Sequence, residues 1–175
     1  MHEVSIRCFR REEWPVYRAL RLRALADAPD AFGSTYAAAR QRPDSAWAQR
    51  LDHDPNVDLP LTAEVGDTLG GLAWGHIDPA DPATVHLYQM WVAPEHRGRG
   101  IGAALLARVV DWARERGARR VALAVTCGNS PARRLYERAG FRPVGQPEPL
   151  RPGSDLRVQP MERTVDTASP SPPSR

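Results

Sequence analysis

A chain of 175 residues, 42% hydrophobic and 26% charged, is one ordinary domain with enough apolar content to hold a core without staples. No apolar run approaches the roughly 20 residues that cross a bilayer, and Met1 to Arg7 lacks the apolar stretch of a signal peptide, so a cytoplasmic protein with no membrane partner is expected. The net charge is +3 and all 24 basic side chains are arginine, dispersed rather than massed, which argues against a nucleic-acid surface and fits a polyanionic cofactor as well.

In chain order, Val4 to Phe9 alternates apolar and polar residues as a strand does. Glu12 to Ala26 carries Trp14, Tyr17, Leu20, Arg21 and Ala24 at helical spacing, and Asp27-Ala28-Pro29-Asp30 stops it. Phe32 to Tyr36 reads as a loop and Asp44 to Leu51 as a short helix. Leu61 to Val65 and Leu69 to Ile77 form a strand pair turning at Gly66-Asp67-Thr68; Asp78 to Pro82 turns, and Val85 to Val92 is the next strand.

Gly100 to Arg116 changes to a helical period, with Ile101, Leu105, Val109 and Trp112 on one stripe and Gly117 as its stop. Val121 to Val125 is a short strand. Ser130 is read as the cap of a further helix, with Pro131 in its first turn and Gly140 just past its end. Phe141 to Val144 and Leu156 to Met161 read as final strands, and residues 164–175, rich in Pro and Ser, as a disordered tail after a domain of residues 1–163. Tight turns early and helical connections late imply a mixed sheet with helices on both faces, an α/β or α+β fold.

Cys8 and Cys127 stand far apart with no metal spacing, and His2, His53, His76, His86 and His96 are scattered. Free, small core cysteines and no bound metal are expected.

The strongest chemical signal is Val92-Ala93-Pro94-Glu95-His96-Arg97-Gly98-Arg99-Gly100-Ile101-Gly102-Ala103. A strand ends, a glycine-rich loop turns, and a long helix begins. N–H groups gather at such a start, the helix dipole adds positive charge, and glycines at 98, 100 and 102 leave room for a phosphate. Arg97 and Arg99 supply full charges nearby. The loop is neither a Walker loop, for no Lys-Ser/Thr follows, nor a good dinucleotide fingerprint.

Arg97-x-x-Gly100-x-Gly102 after Met90-Trp91-Val92-Ala93-Pro94, followed by Asn129-Ser130-Pro131-Ala132-Arg133-Arg134-Leu135-Tyr136-Glu137-Arg138-Ala139-Gly140-Phe141, resembles the GNAT family of N-acetyltransferases. The second segment matches the family pattern N-x-x-A-x-x-L-Y-x-x-x-G-F. The likeness is specific over Leu72 to Phe141 and looser from Arg21 to Tyr36.

That resemblance implies a mostly antiparallel sheet of about seven strands, splayed between the fourth and fifth. It implies acetyl-CoA as co-substrate, with the backbone of Met90, Trp91 and Val92 along the pantetheine and the N–H groups of Gly98 to Ala103, Ile101 included, on the diphosphate. Asn129 falls where the family contacts the cofactor. Tyr136 falls at the general-acid position, and a phenol protonated at neutral pH can donate to a departing thiolate. A backbone N–H near Val92 is the expected oxyanion donor. Arg133 and Arg134 read as a solvated helix face.

The base is left open: the fifth strand, Ala122-Leu123-Ala124-Val125-Thr126, has no glutamate, and His76, His86 and Glu64 are candidates beside a water relay. The acceptor, a small-molecule or peptide amine, is expected between the first helices and Leu72 to Ile77, with Phe32, Tyr36, Trp47, Trp74 and His76 as candidate walls. A homodimer is compatible with this reading. A regulatory acyl-CoA-binding module without turnover is the alternative, argued against by Tyr136.

Overall fold

The computed structural model describes residues 2–166. One sheet runs in the order β1-β2-β3-β4-β5-β8-β6, with β7 also on β8. Its strands are β1 Val4–Cys8, β2 Asp58–Val65, β3 Thr68–Ile77, β4 Thr84–Val92, β5 Arg120–Thr126, β6 Arg142–Pro143, β7 Glu148–Pro149 and β8 Arg157–Thr164. The helices are α1 Trp14–Asp27, α2 Tyr36–Arg40, α3 Asp44–Leu51, α4 Ile101–Glu115 and α5 Ser130–Arg138. Neighbouring strands are antiparallel except β4 and β5, which are parallel. The mixed architecture expected from the sequence is therefore present, with eight strands rather than about seven because β6 and β7, two residues each, divide the outer edge of β8.

Helix α4 forms as its stripe dictates. Ile101, Leu105, Val109 and Trp112 are all buried, in a core with Val85, Val121 and Met161 on one face of the sheet. Gly117, at φ 72°, ends it, and Ala118 N donates to Ala113 O at 2.9 Å, the six-to-one bond of a Schellman cap. The other face is covered by α1, α2 and α3 over Tyr17, Trp47, Leu72, Trp74 and Trp91.

Three local expectations are corrected. Tyr36 opens a short helix instead of closing a loop, because Thr35 caps it: its side chain accepts from Ala38 N at 3.2 Å. Asn129, not Ser130, caps α5, accepting from Ala132 N at 3.3 Å. Both cysteines are exposed rather than in the core, since each stands where the chain leaves the sheet. Val165 is buried and its N donates to Arg119 O at 2.8 Å, so the ordered chain passes residue 163; residues 167–175 of the expected tail lie outside the described residues.

The sheet splays where the chemistry is expected. Strands β4 and β5 pair only from Thr84 with Arg120 to His86 with Ala122. Beyond His86 the edge of β4 from Leu87 to Val92 has no partner on the β5 side among the described residues. A bulge sharpens the separation. The register of β3 against β4 shifts between Leu72 and Trp74, and Gln89 takes φ 59°, a left-handed value that only glycine adopts freely. The hydroxyl of Tyr17 on α1 donates to Gln89 Oε1 at 2.7 Å and holds the bulge from the opposite face.

Candidate active site

A cleft of roughly 870 Å³ opens between the free edge of β4, the start of α4, and α5. Met90, Trp91, Val92, Arg97, Gly98, Gly100, Ile101, Gly102, Ala103, Asn129 and Tyr136 line it. Of the residues expected to contact acetyl-CoA, Arg99 alone is not on its wall. Segments separated by as many as 46 residues in the chain, from Met90 to Tyr136, are thus gathered by the crossover that carries β4 through α4 and β5 into α5.

The mouth of the cleft is backbone. Gly98 and Gly100 have φ 76° and 79°, and a Cβ added to either would meet no atom within 4 Å. The space a side chain would fill belongs to the cleft. The first bond of α4 is Ala104 N to Gly100 O at 3.0 Å, which leaves the N–H groups of Ile101, Gly102 and Ala103 uncommitted within the helix. Gly102 is glycine for a different reason from the one expected. A Cβ there would stand 3.1 Å from Leu135 Cδ2, so its absence lets α5 approach α4.

The Arg97 side chain turns away from the loop it was expected to charge. Its Nε donates to Val92 O at 3.0 Å and its Nη2 to Asp27 Oδ2 at 2.7 Å. Trp91 Nε1 donates to the same Asp27 oxygen at 2.9 Å. These two bonds, Trp91 first, hold the Asp27 carboxyl below the usual carboxylate range. Arg97 is therefore a strut that ties the glycine loop to the end of β4 and to α1. Sequence reading took Asp27 only as a helix stop; nothing local marks it as the anchor.

Tyr136 is fixed by the way α5 ends. Gly140, at φ 89°, reverses the chain; Phe141 N then donates to Tyr136 O at 3.0 Å and Gly140 N to Glu137 O at 3.0 Å. This is a Schellman cap, and its apolar contact is the edge-to-face pair of Phe141 and Tyr136, with ring centroids 6.1 Å apart. Arg163 of β8 adds a bond from Nη1 to Ala139 O at 2.9 Å. The Tyr-x-x-x-Gly-Phe spacing is thus the geometry that pins the Tyr136 ring. Tyr136 is 7% exposed, and burial alone pushes its phenol well above the usual phenol range, so the hydroxyl keeps its proton.

The candidate bases separate. Glu64 receives Arg7 Nε at 2.7 Å in an ion pair between β1 and β2, two strands from the cleft. His76 and His86 are paired in register on β3 and β4, so both side chains leave the face covered by α1 to α3. His76 Nδ1 lies 2.8 Å from Asp58 Oδ1. A carboxylate only accepts, so Nδ1 carries the proton and Nε2 is the acceptor when the ring is neutral. His86 stacks on Tyr88 at 5.9 Å, and Tyr88, 51% exposed, marks the part of this face left uncovered. Phe32, Trp47 and Trp74, expected as walls, are buried here, while Tyr36 is exposed.

Among the described residues no three or more His, Cys, Asp or Glu side chains gather as a metal site, and no helix is long and apolar enough to cross a membrane.

Comparison with known proteins bears on the family and the fold. The acetyltransferase (GNAT) family profile matches residues 12–141. A mycothiol acetyltransferase of Beutenbergia cavernae is 39% identical over 127 residues, covering 72% of this chain and 40% of the relative. The chain thus spans well under half the length of that relative. Among solved structures, a GNAT-family acetyltransferase of Streptococcus pneumoniae superposes with a TM-score of 0.79 at 20% identity, covering 94% of this chain and all of that one. The yncA protein of Salmonella typhimurium, solved with its cofactor acetyl-CoA, superposes with a TM-score of 0.76 at 21% identity, covering 97% and 98%. At these identities the structural likeness speaks for the fold.

Proposed function

The chain belongs to the acetyltransferase (GNAT) family, and from that premise we propose that it transfers an acetyl group from acetyl-CoA to a primary amine, with Tyr136 as general acid. Enzymes of this family use acetyl-CoA, which supplies an activated carbonyl and a thiolate leaving group. The residues present fit it: the cradle at Gly98 and Gly100 is open where a Cβ would stand, and the cleft of roughly 870 Å³ runs from the glycine loop past Met90 to Tyr136. In this reading the uncommitted N–H groups from Gly98 to Ala103 bind the diphosphate, with the α4 dipole behind them. The unpartnered backbone of Met90, Trp91 and Val92 takes the pantetheine amides as an added strand would.

Tyr136 Oη holds the proton destined for the sulfur. Its burial supports an acid over a base, because an ionised phenolate is disfavoured there. Asn129 is engaged in capping α5, and its contribution is to set the position of that helix. The observation that carries the proposal is the meeting, on one cleft, of a free strand edge, a free helix start and a buried phenol. The test is thiol release from acetyl-CoA across an amine panel, with the product identified by mass. Acetyl-CoA binding without any acetylated amine would reject it.

A further inference from the structure

Arg21 is 5% exposed and stands on α1 one turn beyond Tyr17, on the face of the sheet that α1 to α3 cover; the end of this helix, at Asp27, lines the cleft. Its guanidinium lies 4.4 Å over the Phe32 ring, and its Nη1 is buried with no hydrogen-bond partner among the described residues. Among the described residues no carboxylate pairs with it. Trp47 Nε1, in the same aromatic cluster through Tyr17, is likewise a buried donor without an acceptor. Both orphans are N–H groups; what the cluster lacks is an oxygen.

Two further arginines put charge of the same sign beside Arg21. Arg42 stacks over Trp47 at 5.7 Å and Arg50 over Trp74 at 5.4 Å, so three aromatic walls each carry an arginine. Asp58, beneath Trp74 on this side, is already bound by Trp74 Nε1 and His76 Nδ1, each at 2.8 Å. Burial, with repulsion from Arg50 and Arg42, pushes the Arg21 guanidinium down to about 10, so it stays charged at neutral pH. Leaving a buried cation without a counter-ion is costly, and the fold does not relieve it. The loop that presents Phe32 is itself held firmly: Arg151 Nη2 donates to Pro29 O at 3.0 Å and to Phe32 O at 2.9 Å.

The geometry points to an acceptor amine that carries an anionic oxygen group, carboxylate or phosphate, received by Arg21 with the charges of Arg42 and Arg50 beside it. This inference rests on the acetyl-transfer reading and names its acceptor class. A fork of guanidinium N–H groups suits a planar or tetrahedral oxyanion and repels a polyamine.

The test compares matched amines at saturating acetyl-CoA: α-amino acids beside their amides, phosphoethanolamine beside ethanolamine, and spermidine. The wild-type chain is expected to favour one anionic set over its neutral partners by roughly tenfold or more in kcat/KM, and to disfavour spermidine. Arg21→Met brings that ratio near one, and Arg21→Lys restores part of it. Which set shows the preference separates carboxylate from phosphate. A melting-temperature measurement keeps the idea falsifiable without turnover. N-acetylated amino acids or N-acetylphosphoethanolamine, but not their neutral counterparts, raise the Tm of the wild-type chain with CoA present, and the rise vanishes in Arg21→Met. The Tm of free Arg21→Met equals or exceeds that of the wild type, since an apolar isostere replaces an unpaired buried charge. Turnover without anionic preference, or a preference unchanged in Arg21→Met, overturns the acceptor class alone. An Arg21-dependent Tm rise with no acetylated amine sustains the anion site and sinks acetyl transfer.

Discussion

Asp27 Oδ2 accepts from Arg97 Nη2 at 2.7 Å across 70 residues of chain, and that bond fastens the glycine loop to the end of α1. The same oxygen takes Trp91 Nε1 from β4. One carboxylate therefore locks the strand and the loop that form two walls of the cleft. Asp27→Asn should weaken acetyl-CoA binding by roughly three- to tenfold, read by calorimetry, with little change in kcat at saturation.

Asp27 also predicts a pH effect. Its carboxyl is held below the usual carboxylate range, by Trp91 first and Arg97 second, so folding favours the ionised form. The stability it adds is fully present above the unfolded value of about 4 and is lost as pH falls through the lower folded value. Thermal melts of wild type and Asp27→Asn should differ at pH 7 and converge below pH 4. A constant difference across that window would show that the carboxylate charge is not what matters.

Gly100 and Gly102 should respond differently to alanine. Gly100 lies at φ 79°, where a Cβ costs about 1–2 kcal/mol and stands in the open cradle. Gly100→Ala should therefore lower Tm and acetyl-CoA affinity together. At Gly102 the obstacle is the flexible tip of Leu135 at 3.1 Å, so Gly102→Ala should have the milder effect on stability.

Tyr136→Phe keeps the ring that packs on Phe141 and removes only the hydroxyl. Acetyl-CoA affinity should persist while kcat falls by about 100-fold or more. Because burial raises this phenol above its usual range, the wild-type kcat should show no loss of the acid near pH 10. A kcat–pH profile with a descending limb there that disappears in Tyr136→Phe would contradict the burial argument.

Tyr17→Phe removes the donor that holds Gln89 Oε1 at 2.7 Å, and the strained bulge at φ 59° loses its support. The KM for acetyl-CoA should rise, since the free edge of β4 shifts. Gln89→Gly adopts the same φ without strain, so the double variant should show strong coupling in a double-mutant cycle. Simple additivity would mean that Tyr17 and Gln89 act separately.

Local chemistry was legible in the sequence wherever a residue's role is set by its near neighbours. The stripe from Ile101 to Trp112, the stops at Gly117 and Gly140, the strand entering Val92 and the free helix start at Gly100 all follow from periodicity and backbone freedom. Even Tyr136 is fixed locally, by a cap four and five residues further on. The tertiary structure decided what depends on distant partners. It turned Arg97 from a phosphate charge into a strut, because Asp27 comes within reach only when α1 crosses β4. It gave Gly102 to helix packing, set the bulge at Gln89 against Tyr17, and left Arg21 buried beside Arg42 and Arg50 with no carboxylate partner among the described residues. Period and turn chemistry act over a few residues; charge pairing and burial are set by whichever surfaces the sheet brings together, and no window of sequence contains them.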